Sequence, residues 1–322
     1  MKEHILAAQA IGDALGVPYE GRPPTPDIDL VMSGGGLGDY EPAEYSDDTQ
    51  MAVAIARAGL RADLRTEAGL AAVAEEFVTW VLSNPPDIGV QTAAATRGRH
   101  QNPDSVLAGM RSAALEYRQR HPSTSAGNGA LMRTSVLGAL PYSRDEIAGV
   151  AASIAAITHP DPLCVQSCVL WAEAVRLAAS TGELDLTAGL DLLEPDARDA
   201  WAHRIATAHA PESTDGGGFT VTCLQRAWWA VSSTQTTPEA LEMVVRGGGD
   251  TDTVAAVAGG LCGALRGLAD IPADWLDVHG WPDLDLDGLV DLNRRLAEPL
   301  ARQEDCAAPP VRGRLSRWLR SH

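Results

Sequence analysis

Apolar positions along this chain recur at intervals of three and four, and no segment alternates long enough to make a convincing sheet. The clearest stripe lies late, where Val254, Val257, Ala258, Leu261 and Leu265 fall on one face of a predicted helix. Gly259, Gly263 and Gly267 recur every fourth residue there, so that one face is bare and a second backbone can approach closely. Each interior glycine costs roughly 1 kcal/mol relative to alanine, which points to tight central packing. The same spacing predicts a buried first helix over 5–15 and an alanine-rich helix opened by 45–51, with Met51, Ile55 and Ala58 on one face. Further helices are predicted at 66–82, 104–118, 130–141, 148–157, 163–179, 195–209, 220–231, 238–245 and 285–300. Pro160 and Pro162 separate 148–157 from 163–179. The pattern is that of an all-α protein.

The stretches between helices differ in character. Residues 21–44 are rich in Pro, Gly, Asp and Ser, and a loop that long in a compact protein is usually functional or disordered. Thr214–Phe219 is a glycine loop ending in one of only two phenylalanines. With 322 residues, 45% hydrophobic and 5% aromatic, the chain can bury a large helical core. Its 43 acidic and 25 basic residues give a net charge of −18, which opposes non-specific binding to nucleic acid or anionic membranes. Five cysteines, Cys164, Cys168, Cys223, Cys262 and Cys306, include no CxxC pair and read as reduced, in a cytoplasmic setting. No signal peptide is evident at the N-terminus, and no apolar run is expected to span a membrane. The last stretch, 306–322, is basic (Arg312, Arg314, Arg317, Arg320) and is read as a tail on a helical domain covering 1–305.

Candidate chemistry gathers at two helix mouths. Ser46-Asp47-Asp48-Thr49 opens one helix, and Gly247-Gly248-Gly249-Asp250-Thr251-Asp252-Thr253 opens another. Capping explains one acidic residue at each mouth, and Asp47 with Gln50 has the spacing of a capping box. It does not explain two carboxylates with interleaved hydroxyls at both. Oxygen-only donor sets suit hard cations such as Mg²⁺ or Mn²⁺, and four aspartates could hold two of them about 3.5–4 Å apart. Nothing resembles a GxGxxG turn or a P-loop, and no His or Cys pair suggests zinc. The residues alone leave a two-metal phosphohydrolase and a metal-assisted glycoside hydrolase both open.

The ordered set Gly12-Asp13-Ala14-Leu15-Gly16 with Glu20, Ser46-Asp47-Asp48-Thr49, Gly127-Asn128-Gly129 with Met132-Arg133, Thr158-His159-Pro160 and Gly248–Thr253 resembles the ADP-ribosylglycohydrolase family. The resemblance runs from residue 5 to about 267. It implies a single compact orthogonal bundle of α-helices and an enzyme that cleaves ADP-ribose from an acceptor. It also implies two Mg²⁺ (or Mn²⁺) held by Ser46, Asp47, Asp48, Asp250, Asp252 and Thr253, with Glu20, Asp47 and Asp252 as catalytic residues. Gly127, Asn128, Gly129 and His159 would line the substrate pocket, and Phe219 would cover the adenine. Gln91 departs from the threonine common in relatives, on the acceptor side. The implied partner is an ADP-ribosylated protein, nucleobase or small molecule. The alternative is a non-catalytic ADP-ribose-binding or crystallin-like member, and the oligomeric state, with a monomer as one option, is left open.

Overall fold

The computed structural model describes residues 2–98, 106–208 and 216–299. Its centre is a pair of helices, α1 (Ile5–Gly16) and α11 (Thr251–Arg266), which share the most intimate packing in the molecule. All of α1 and the run from Thr251 to Ala264 of α11 are buried. Small residues make this possible. A Cβ on Gly16 would fall 2.4 Å from the Cα of Asp252, and one on Gly259 would fall 2.3 Å from the carbonyl oxygen of Ala8. The bare helix face expected from the glycine spacing therefore meets α1, whose Gly12 and Gly16 answer it.

Around this pair lie α2 (Asp47–Gly59), α7 (Pro162–Thr181), α9 (Thr220–Ser233), α10 (Thr237–Arg246) and α12 (Leu286–Leu296). An outer set follows: α3 (Glu67–Leu82) on α2, α4 (Val90–Thr96) and α5 (Val106–Arg120) beside α6 (Arg144–Thr158), and α8 (Pro195–Ala206) on α9. Two capping boxes fix helix starts, Ser143 with Glu146 on α6 and Thr236 with Glu239 on α10. The one sheet among the described residues is a hairpin that pairs His279–Gly280 with Leu284–Asp285. The chain is all-α, an orthogonal helical bundle as expected.

Several expectations need correction. Residues 130–141 form 3₁₀ turns, at Asn128–Ala130 and Ser135–Ala139, in place of a helix. This segment crosses the core with Ala130–Leu140 all buried, so it has no solvent face, and Gly138 fits under Val175, 2.5 Å from where a Cβ would stand. The short helix α4 went unpredicted, having no side-chain N-cap and only seven residues. The expected Asp47–Gln50 capping box is absent: Ser46 caps α2, and the Gln50 amide instead donates to Tyr45 O and accepts from Trp80 Nε1. Helix α7 is long and apolar enough to cross a membrane, contrary to expectation, but 61% of its apolar window is buried within the bundle. The tail 306–322, Cys306, and Thr214 and Asp215 of the glycine loop lie outside the described residues. Cys164, Cys168, Cys223 and Cys262 are buried free thiols.

Candidate active site

The N-terminus of α2 is built on α1. Asp13 is fully buried, and its carboxylate accepts from Ser46 N at 2.9 Å, Thr49 N at 3.0 Å and Thr49 Oγ1 at 2.6 Å. Those bonds hold the first turn of α2 in one place. Ser46 Oγ caps the turn, accepting from Asp48 N and donating to Asp48 Oδ2 at 2.9 Å, which orients that carboxylate. Asp47 and Asp48 occupy the first turn, where the helix dipole favours negative charge.

The second mouth is placed by the loop that was read as a long Gly/Pro-rich connection. Gly21 N donates to Gly249 O at 2.8 Å and Gly249 N donates to Arg22 O at 2.9 Å, so the strand-like 20–22 segment runs beside the glycine turn. Gly249 has φ +78° and leaves no room for a Cβ, whose nearest neighbour would be Gly216 O at 2.6 Å. Thr251 Oγ1 donates to Gly16 O at 2.8 Å and ties α11 to the end of α1. The outcome is that Glu20, Asp250 and Asp252 bring one carboxylate oxygen each within 4.8 Å of one another. Glu20 thus joins the acidic cluster as a neighbour of both α11 aspartates, a position its sequence context did not reveal.

These carboxylates line a cavity of about 270 Å³ together with Asp47, Asp48 and Thr253. Burial, reinforced by the neighbouring carboxylates, pushes Asp47, Asp48 and Asp252 well above the ordinary aspartate range. Burial and then Asp250 raise Glu20 to about 7, against a bond from the Leu37 amide that lowers it. Burial raises Asp13 to about 6 in spite of its hydrogen bonds to Thr49 and Ser46. Asp48 Oδ1 and Asp252 Oδ1 are buried with no hydrogen-bond partner among the described residues. Converging, desolvated carboxylates with orphaned oxygens are a donor set for a hard divalent cation, and the residues present fit one.

The opposite wall is the Gly127-Asn128-Gly129 turn. Asn128 Nδ2 donates to Asp250 Oδ2 at 2.8 Å and to Gly217 O at 3.1 Å, which links this wall to the acidic cluster. His159 is buried behind the turn, and a Cβ on Gly129 would stand 3.0 Å from its Nε2. Burial and then Arg133 hold its imidazole well below the usual histidine range, hence neutral. Asp87, Gln91, Thr92, Tyr117 and Thr124 also line the cavity. Of these, Tyr117 and Thr124 carried no sequence signal, since each stands at or beyond the polar end of α5 with no motif around it.

Two expected residues sit elsewhere. Ser46 lies behind Asp48 and does not line the cavity. Phe219 pairs with Gly127 through its backbone, while its side chain is 42% exposed and is not part of the lining. Its position as the residue before α9 fixes the backbone there and leaves the ring outside.

Sequence and fold similarity to known proteins identify the family. The ADP-ribosylglycohydrolase family model matches residues 4–306. The chain is 30% identical to the ADP-ribosyl-[dinitrogen reductase] glycohydrolase of Rhodospirillum rubrum, over 83% of this chain and 86% of that protein. It is 27% identical to the ADP-ribosylarginine hydrolase Tri1 of Pseudomonas putida (strain GB-1), over 86% of this chain and 73% of that one. A solved ADP-ribosylglycohydrolase-related protein complex superposes with a TM-score of 0.66 at 26% identity, covering 94% of this chain and 97% of that one. Motif order, helical bundle and a match along nearly the whole described chain converge on one conclusion, that the chain belongs to the ADP-ribosylglycohydrolase family.

Proposed function

We propose that this protein hydrolyses the glycosidic bond between ADP-ribose and an acceptor at the acidic cavity, with Mg²⁺ or Mn²⁺ as its cofactor. The observation that carries the metal is the convergence of Glu20, Asp250 and Asp252, with one carboxylate oxygen each within 4.8 Å of the others, beside the orphaned buried oxygens of Asp48 and Asp252. Asp47, Asp48, Asp250, Asp252 and Thr253 would hold the ions, up to two of them, with Ser46 fixing the Asp48 carboxylate from behind. When bound, such ions supply positive charge that binds ribose hydroxyls and lowers the pKa of a coordinated water.

The chain's own residues do the rest. The Gly127–Gly129 turn and His159 form the wall against which the ADP-ribosyl group lies. Cleavage passes through an oxocarbenium-like transition state, which a nearby set of carboxylates stabilises electrostatically. Glu20 lines the cavity beside both α11 aspartates, where its carboxyl can reach a water or a departing acceptor. That suits it to move a proton between water and the departing acceptor. No covalent nucleophile is required of the protein.

The acceptor side points to a cationic group. Among the described residues that line the cavity there is no lysine or arginine, while Asp87 and Glu20 are acidic. Gln91 spends its amide N–H on Thr158 O at 3.3 Å, which turns its carbonyl oxygen towards the Gly127 side of the cavity. A guanidinium leaving group matches such acceptors, in keeping with the arginine named in the Pseudomonas relative. Incubating the protein and Mg²⁺ with peptides ADP-ribosylated on arginine or serine, and with O-acetyl-ADP-ribose, tests this by the release of free ADP-ribose. Arginine-linked substrate should be cleaved fastest; release from serine alone would overturn the acceptor assignment, and release from none would overturn the activity.

A further inference from the structure

Behind the His159 wall stands an arginine with no carboxylate against it among the described residues. Arg133 is fully buried, with its guanidinium over the Phe77 ring at 4.6 Å and Nη1 3.4 Å from Met51 Sδ. A buried cation is expensive unless it is paired and hydrogen-bonded. Its Nη2 donates to Thr158 Oγ1 at 2.6 Å, and the same oxygen is 2.7 Å from His159 Nδ1. Both contacts are buried.

Counting protons decides the direction of the second contact. A guanidinium has donors only, so Thr158 Oγ1 must accept from Arg133. The hydroxyl then has one proton of its own to place. Among the described residues no third hydrogen-bond partner of Oγ1 is present, so that proton goes to His159 Nδ1. The opposite arrangement would aim two donors at one oxygen and strand its proton in a buried site. A cation two bonds away also disfavours placing a second positive charge on the ring.

We propose that Arg133 and Thr158 are positioning residues that lock His159 as the Nε2–H tautomer, so that the cavity wall beside Gly129 presents a hydrogen-bond donor to an oxygen of the bound ADP-ribosyl group. The identity of that ligand rests on the activity proposed above; the tautomer does not. Nε2 lies at the Gly129 face, where only a residue without a Cβ leaves it reachable. His159 on this reading binds and orients, and takes no part in proton transfer. The buried charge of Arg133 is then explained as the source of a fixed donor two residues removed from it.

The test reads the tautomer directly. Imidazole ¹⁵N NMR of the full-length protein, without ligand, should show His159 Nδ1 unprotonated and Nε2 protonated across neutral pH. Thr158→Val keeps the shape and removes the relay, and should give a mixed or reversed tautomer; Thr158→Ser should restore the parent spectrum. With Mg²⁺ present, calorimetry should show ADP-ribose binding weakened about tenfold in Thr158→Val, the equivalent of about 1.4 kcal/mol. The loss should fall on KM more than on kcat. A protonated Nδ1 in the parent, an unchanged tautomer in Thr158→Val, or a changed tautomer with unchanged ADP-ribose affinity would each overturn the proposal. If Thr158→Val does not fold, the parent spectrum still discriminates. If the parent binds no ADP-ribose, the activity assignment fails and the tautomer comparison alone decides the relay.

Discussion

Replacing Asp252 by asparagine separates a carboxylate placed for a ligand from one placed for stability. In the metal-free protein Glu20, Asp250 and Asp252 have oxygens within 4.8 Å of one another. At an effective dielectric of about 20, two unit charges at that distance repel by about 3 kcal/mol. Asp252 takes part in two such pairs, and no hydrogen bond to its buried Oδ1 compensates it. Proton uptake limits what the parent suffers, since burial and Asp48 already push Asp252 towards its neutral form. The recoverable repulsion is therefore smaller, about 1–3 kcal/mol. Against it stands the favourable interaction of Asp252 with the α11 N-terminus, about 0.3–1 kcal/mol. Asp252→Asn is isosteric, and its new N–H donors face carboxylates.

The variant should accordingly melt up to about 5 °C above the parent in EDTA at pH 7.5, at about 2 °C per kcal/mol for a chain of this size. In saturating Mg²⁺ the order should reverse. The parent gains about 4 kcal/mol when the ion is at a thousand times its Kd, and the variant, short of a ligand, gains much less. Calorimetry of both proteins in both buffers gives four melting points and one crossing. A variant that melts below the parent in EDTA would refute the reasoning, because it would show Asp252 stabilising the apo fold. Parallel shifts without a crossing would do the same for the metal assignment.

Other outcomes follow from the same geometry. Glu20→Gln should lower kcat by about 10²–10⁴, as loss of a positioned acid–base group does, while ADP-ribose affinity by calorimetry changes little. Turnover at the parent rate would remove Glu20 from proton transfer. Because the folded-state value of Glu20 is raised from 4.5 to about 7, its burdened carboxylate costs stability progressively as pH rises through that interval. In EDTA the melting-point difference, parent minus Glu20→Gln, should therefore fall between pH 5 and 7.5; subtracting the variant cancels the opposing contribution of neutral His159, and a flat difference would contradict the burial of Glu20. Gly16→Ala should destabilise by about 1–3 kcal/mol and weaken Mg²⁺ binding by displacing Asp252, whereas Gly149→Ala, with open space around it on α6, should stabilise by up to about 1 kcal/mol. Equal melting points for the two would deny the close α1–α11 approach.

What was legible in the sequence were features with local causes. The stripe from Val254 to Leu265 and its glycines reported both the helix and its close partner, because a bare face every fourth residue has meaning only against another backbone. The two acidic mouths were legible because capping accounts for a single carboxylate and each mouth has two. What escaped depended on contacts across the chain. The 130–141 segment has apolar residues at helical spacing, yet full burial and Gly138 under Val175 draw it into 3₁₀ turns. Glu20 reads as a residue after a helix end until Gly21 and Arg22 pair with Gly249, a register that nothing local specifies. Phe219 had the right chemistry for a stacking surface, but its backbone, tied to Gly127, leaves the ring outside the cavity.

The charges explain each other better than any of them explains itself. Asp13 contributes no atom to the cavity lining, yet it is buried at a pKa near 6 and holds the α2 turn by three hydrogen bonds. Arg133 is buried with the opposite sign: burial lowers it to about 10 against the smaller opposing effects of Cys168 and Asp47, and its charge adds to the burial that keeps His159 neutral. A fold selected for stability alone would place alanine or leucine at these positions, since a buried ion rarely repays its desolvation. Their presence in a core otherwise built of Ala, Val and Leu marks where stability has been set aside for a preorganised site. The α1–α11 glycine contact is the structural counterpart of that concession. It brings Asp13 and Asp252 onto adjacent turns of two helices too close to part, so that the acidic cluster is held together by packing against its own repulsion.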